Sequence, residues 1–338
     1  MKPLALASLL ALASLAPAAP QPELPLETFF QSPTISNLAF SPNGKFVLCV
    51  VPHERRQNLA VIDLEKGTKN LLTNFTDKQV ISPLWANNDR ILFRVDDDGR
   101  ESLSLYAVNR DGSDPAVLAS GYFRQGFTGR INERFSGLLR RLKRDPQNIL
   151  VLARIKFNDW NDVARMDLKT GRMSVVATAP GNVLSYVLDR ADEVRFAVVL
   201  EPDQTQRVLY RDRAGDPWTE LSAHHMDEPG WWPVAFDGDN RTVYVVSNLG
   251  RKTNAVFRYD TVTRQLESEP IVAHDTYDVI NSSGDGLRTF YDESKQKVVG
   301  FAFEADRPVF HWLDPEMAQV HAQLNAALPD TAHMPVQF

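Results

Sequence analysis

The chain has 338 residues, 43% of them hydrophobic and 24% charged, with a formal net charge of −6. This is ordinary globular composition, and the length allows a large core. The acidic balance argues against nucleic acid and anionic membrane surfaces as partners, because both select basic stripes. The single cysteine, Cys49, rules out an intramolecular disulfide and reads as a small buried hydrophobe within an apolar strand.

Residues 1–19 read as a secretory signal peptide: Lys2 gives the positive start, residues 3–16 are apolar, and Ala16, Pro17 and Ala18 supply the small residues for cleavage. The apolar run is too short to cross about 30 Å of hydrocarbon, so a membrane helix is not expected. The mature chain is therefore expected to be secreted or periplasmic, with no membrane segment after cleavage. Residues 20–34 read as a linker, Pro-rich at its start.

From residue 35 onward a strand-rich unit recurs at a spacing of about 45 residues. Each copy carries apolar strands and a tight polar turn before its last strand. The turns are bounded by Asp63 and Gly67, Asn109 and Gly112, Asp167 and Gly171, Asp212 and Gly215, and Asp260 and Arg264. The first unit has strands at 37–40, 46–51 and 59–63, then 70–73. The second has strands at 83–85, 90–95, 102–109 and 116–118, with a hairpin link at 96–99. The third, about 138–178, follows an insertion at 121–137. The fourth spans about 182–222 and the fifth about 232–272. A sixth begins near Tyr277, with clear strands at 297–304 and 309–313. Trp85, Trp231 and Trp232 are expected to pack between units.

At Asp314 the pattern changes. A capping Asp, Pro315 in the first turn and Glu316 at the positive end predict a helix, with Met317, Val320, Leu324 and Ala327 on one face and Pro329 after it. The whole reads as an all-β fold: a β-propeller of four-stranded antiparallel blades, five full units plus a partial sixth over 35–313, with a short C-terminal helix and tail over 314–338. Five units and part of a sixth do not obviously close, so an incomplete ring is expected.

Few constellations carry chemistry. His224, His225, Asp227 and Glu228 have metal-ligand types, but neighbours on an extended chain point apart; they read as a solvated loop, and no metal site is expected. The link 96–99 fails the calcium-loop register, because Arg94 stands where the first ligand should be. Arg134, Arg140, Arg141, Lys143 and Arg144 form a basic cluster read as a solvated, partly salt-bridged edge. The insertion 121–137 is the best functional candidate, because long loops in compact domains are often functional. There Arg130, Glu133 and Arg134 could hold a peptide terminus, while Phe123 and Phe127 could instead pack the loop under a blade. No cofactor is implied.

The segments at 25–33 and 38–45, followed by those at 71–77, 85–93, 162–171, 209–212, 244–253 and 303–315, resemble in order and spacing the prolyl-oligopeptidase family of serine peptidases. The acylaminoacyl-peptidase and dipeptidyl-aminopeptidase-like members are the nearest in pattern. The resemblance runs from about residue 24 to the end. It implies an N-terminal propeller, usually of seven blades, which limits access to short peptides, and an α/β-hydrolase domain carrying a Ser–Asp–His triad. No Gly-x-Ser-x-Gly elbow occurs in this sequence; the cluster at 281–286 lacks the first Gly. No catalytic residue is therefore assigned. The expectation is the gating propeller of a peptidase, inactive by itself, whose partner is the missing α/β-hydrolase domain and whose ligands are short peptides. The alternative is a stand-alone periplasmic propeller that scaffolds proteins or binds a ligand.

Overall fold

The computed structural model describes residues 25–29, 33–96, 103–119, 135–155, 160–279, 287–329, 331 and 333. The leader, the cluster at 281–286 and most of the insertion lie outside the described residues. Within the segment read as a linker, one helical turn forms, α1 (Leu26–Phe29).

Six antiparallel sheets follow, each in simple chain order. Blade one is β1 (Ser36–Phe40), β2 (Phe46–His53), β3 (Arg56–Asp63) and β4 (Thr68–Leu71). Blade two is β5 (Val80–Trp85), β6 (Arg90–Asp96), β7 (Leu103–Asn109) and β8 (Ala116–Ala119). Blade three is β9 (Phe135–Arg141), β10 (Asn148–Ala153), β11 (Asp162–Asp167) and β12 (Met173–Ala177). Blade four is β13 (Val183–Leu188), β14 (Val194–Leu200), β15 (Thr205–Tyr210) and β16 (Thr219–His225). Blade five is β17 (Trp231–Phe236), β18 (Thr242–Ser247), β19 (Ala255–Asp260) and the two-residue β20 (Gln265–Leu266). Blade six has three strands, β21 (Arg288–Asp292), β22 (Lys297–Glu304) and β23 (Pro308–Trp312). The propeller architecture and its partial sixth unit are as the repeat implies.

The second strand of each blade is largely buried; in blades two to five a neighbouring blade lies on either side. β14 is apolar at all but one position, and its first six residues are buried. Apolar clusters join blades one to two, two to three, three to four, four to five and five to six. Among the described residues no such cluster joins six to one. Trp85 is buried and donates from Nε1 to the Ala39 carbonyl at 3.0 Å, tying blade two to blade one. Trp231 and Trp232 pack at the four–five and five–six boundaries, as expected.

Three of the five recurring turns, those of blades one, three and five, share one physical identity. The carboxylate of the Asp caps the next amides, and a residue of positive φ lets the chain reverse. Asp63 accepts from Glu65 N and Lys66 N, and Gly67 has φ +64°. Asp167 does the same ahead of Gly171, and Asp260 ahead of Arg264 at φ +57°. Gly171 is further constrained: a Cβ there would lie 2.2 Å from the Leu118 carbonyl oxygen of blade two.

Two readings need correction. Strand β9 begins at Phe135, so the end of the presumed insertion is already blade. His224 and His225 close β16 rather than lying in a loop, and His224 is buried against Gly230. The helix α2 (Pro315–Ala327) forms as its cap predicts, with Asp314 accepting from Glu316 N and Met317 N. Its apolar stripe, however, stays largely in solvent: none of its residues is buried, and only Met317 joins the outer cluster of Phe310 and Trp312 on blade six. Val320 and Leu324 are exposed, because the helix meets the blade through Met317 and through His321, which accepts from Trp312 Nε1 at 3.0 Å.

Candidate functional site

The first strands of neighbouring blades lie against one another, β1 against β5 and β13 against β17, so first strands face the propeller axis. Arg130, Glu133 and Arg134 lie outside the described residues, as does the body of their insertion. Within the described residues, the group-bearing cavity near the axis is lined by β9, β13 and β17. It measures about 100 Å³ and has walls of Tyr186, Leu188, Val234 and Phe236, with Arg140 and Arg190 as its charged groups.

The two arginines are held differently. Arg140, on β9, donates from Nη1 to the Asp189 carbonyl at 2.8 Å and to Asp192 Oδ1 at 3.2 Å. The edge reading holds here in its salt-bridged part, but Arg140 is half-buried rather than solvated and clamps blade three to the first turn of blade four. Arg141 stays exposed at the end of β9, as the edge reading expects, and reaches the Trp85 carbonyl at 3.2 Å.

Arg190 sits just after β13, in a turn organised by Asp189, whose Oδ1 accepts from Ala191 N and Glu193 N. Its own amide donates to Asn240 Oδ1 at 2.7 Å, and its Nη2 donates to the Phe236 carbonyl. The guanidinium carbon lies 3.5 Å from the centroid of the Tyr291 ring of blade six, which fixes the guanidinium plane by stacking. Nε is buried without a partner. No carboxylate comes within ion-pair distance of Arg190 among the described residues. Burial lowers its pKa; Tyr291, Asp237 and Glu293 oppose this and Arg140 reinforces it. The nearby carboxylates are committed elsewhere. Asp237 accepts from Gly238 N, Val298 N and the Tyr244 hydroxyl, and Glu293 pairs with Lys143 at 2.6 Å.

The turn joining β21 and β22 lies against three other blades at this end of the axis. Glu293 meets Lys143 of blade three and Tyr291 meets Arg190 of blade four. Gln296 packs so closely on blade five that a Cβ on Gly238 would sit 1.6 Å from its carbonyl oxygen. The turn therefore spans the axis and covers this end.

A larger cleft of about 630 Å³ lies off the axis, between the turns of blades two and three. Its central group, Arg90, is buried. It donates to the Leu168 carbonyl at 3.2 Å, Asn109 Oδ1 at 3.1 Å and the Asp114 carbonyl at 2.5 Å, and it pairs with Asp114 at 3.3 Å. This cleft is open and polar, and Arg90 serves there as a tie between blades. No cluster of three or more metal-ligating side chains occurs among the described residues.

No protein-family model matches the chain. It is 23% identical over 244 residues to dipeptidyl aminopeptidase BIII of Pseudoxanthomonas mexicana, covering 70% of this chain and 33% of that protein. It is 24% identical over 245 residues to dipeptidyl peptidase family member 6 of Caenorhabditis elegans, covering 67% and 31%. The chain thus spans about a third of the length of the curated relatives it matches. Among solved structures it is similar to a prolyl endopeptidase, with a TM-score of 0.53 at 12% identity over 80% of this chain and 39% of that one. It is also similar to puromycin hydrolase, with a TM-score of 0.52 at 13% identity over 85% and 46%. At these identities the structures bear on the fold alone.

Proposed function

We propose, for a chain that corresponds in sequence and fold to the propeller region of prolyl-oligopeptidase-family peptidases, that it admits short peptides to a serine peptidase whose chemistry resides in an α/β-hydrolase domain. The observation that carries this reading is the match to two dipeptidyl-peptidase-type relatives, each covered over about a third of its length. The covered end of the axis fits a gating role, because a polypeptide thread would have to displace the blade-six turn to pass. On this reading the ring is incomplete, in keeping with the lack of an apolar cluster joining blades six and one among the described residues, and the leader directs the chain to the periplasm or beyond.

Residues 20–338 incubated with a serine-directed fluorophosphonate remain unlabelled on this reading, and they bind short peptides without hydrolysing them. Stoichiometric labelling, or failure to bind any short peptide, overturns it. N-terminal sequencing of protein recovered from the periplasm of a Gram-negative host tests the leader: a start near Ala19 or Pro20 is expected, and an intact Met1 contradicts it.

A further inference from the structure

We infer that the axial cavity between β9, β13 and β17 is a carboxylate site, with Arg190 as the anchor that takes the C-terminal carboxylate of a bound peptide. This rests on the reading of the propeller as a peptide-admitting module, and it deepens that reading by naming the group that is recognised.

Arg190 is a half-buried guanidinium with no counter-ion within ion-pair distance among the described residues; Arg211, buried on Trp218 with Nε on the Val194 carbonyl, also lacks one but does not line this cavity. One face is stacked on Tyr291, and Nη2 is held by the Phe236 carbonyl. Nη1 has no hydrogen-bond partner among the described residues and is not among the buried unsatisfied atoms, whereas Nε is. A charge withdrawn from water is stabilised only by an opposite charge or by hydrogen bonds, and this one lacks the charge. The carboxylates that could supply it, Asp192, Asp237 and Glu293, already serve Arg140, the Gly238 and Val298 amides, and Lys143. A ligand oxygen on Nη1 would complete the set, with Arg140 adding a second positive charge on the same wall.

The cavity's size suits a terminal group. At about 100 Å³ it has room for roughly three waters, which is the space of one carboxylate and little more. The apolar wall of Leu188, Val234 and Phe236 excludes water and strengthens the interaction. The blade-six turn lies beside this point, with Tyr291 on Arg190 and Glu293 on Lys143, so a peptide whose carboxylate reaches Arg190 is expected to end against it.

Calorimetric titration of the full chain with trialanine and with trialaninamide tests the assignment. Trialanine is expected to bind at least about tenfold more tightly than the amide, the cost of losing one charge-assisted hydrogen bond. Arg190→Met is expected to bring the two to equal affinity, and Arg190→Lys to restore part of the preference. If wild-type protein binds acid and amide equally, the carboxylate site is wrong while the peptide-admitting reading survives. If neither binds, both fall. Acetate binding as tightly as trialanine overturns the peptide assignment. If Arg190→Met does not fold, Val234→Glu, which places a competing carboxylate on the same wall, is expected to abolish the preference instead; retained preference overturns the proposal.

Discussion

Arg195 and Arg190 stand in the same hairpin of blade four and meet opposite fates. Arg195 is buried at the start of β14 and is saturated: Nε donates to the Arg211 carbonyl, Nη1 pairs with Asp189 at 3.0 Å, and Nη2 donates to the Tyr210 hydroxyl at 2.6 Å. Arg190 faces the axis with a stacking partner, one carbonyl and no carboxylate. The first is what a folded protein does with a cation it needs for structure. The second is a cation kept at a cost to stability, and such a group earns attention as a site. Residue type does not separate the two; the commitment of the surrounding acceptors does.

The contrast can be broken from either side. The largest effect is expected for Arg195→Met, which strands the buried Asp189 carboxylate: a loss of about 3–5 kcal/mol in urea unfolding. A loss below about 1 kcal/mol would mean that Arg195 is no more structural than Arg190. Gly238→Ala comes next, since its Cβ would overlap the Gln296 carbonyl. A cost of about 1–3 kcal/mol is expected, together with faster hydrogen exchange in the blade-six turn. Unchanged exchange would show that the turn does not cover the axis. Arg190→Met is expected to move stability by no more than about 1 kcal/mol, because the lost stacking on Tyr291 is offset by removing an unpaired charge.

The smallest effect concerns His224, another buried group with an unpartnered nitrogen, Nδ1. Burial lowers its pKa, against the pull of Glu228. The unfolded chain therefore binds the proton more readily. Stability holds above the ordinary histidine value of about 6.5 and declines as pH falls below it, until the folded state is protonated too. The urea midpoint is expected to fall between pH 7 and pH 5 with a shallower slope in His224→Gln; identical slopes would contradict this.

What the sequence discloses follows from how local each feature is. The Asp–Gly turns are legible because the cap and the positive φ involve neighbours in the chain, as at Asp63 and Gly67. Strand β22 is legible because burial on both faces makes it a continuous apolar run. Strand β21 is not, since its Arg288 and Asp292 break any apolar pattern and only pairing with β22 defines it. The helix cap at Asp314 is local and was readable; whether its apolar stripe is covered depends on the reach of blade six. Arg140 was visible as part of a basic, partly salt-bridged edge, but its reach into the first turn of blade four was not. Arg190 carried no signal at all. Its character comes from Tyr291, Phe236 and Asn240, which reach it from two other blades, and from carboxylates that are occupied elsewhere.

The most direct test is a crystal structure of the chain grown with trialanine. The account expects the peptide's terminal carboxylate within hydrogen-bond distance of Arg190 Nη1, between β13 and β17, with the blade-six turn still in place. A peptide bound elsewhere, or one at the axis with its carboxylate directed away from Arg190, would contradict it.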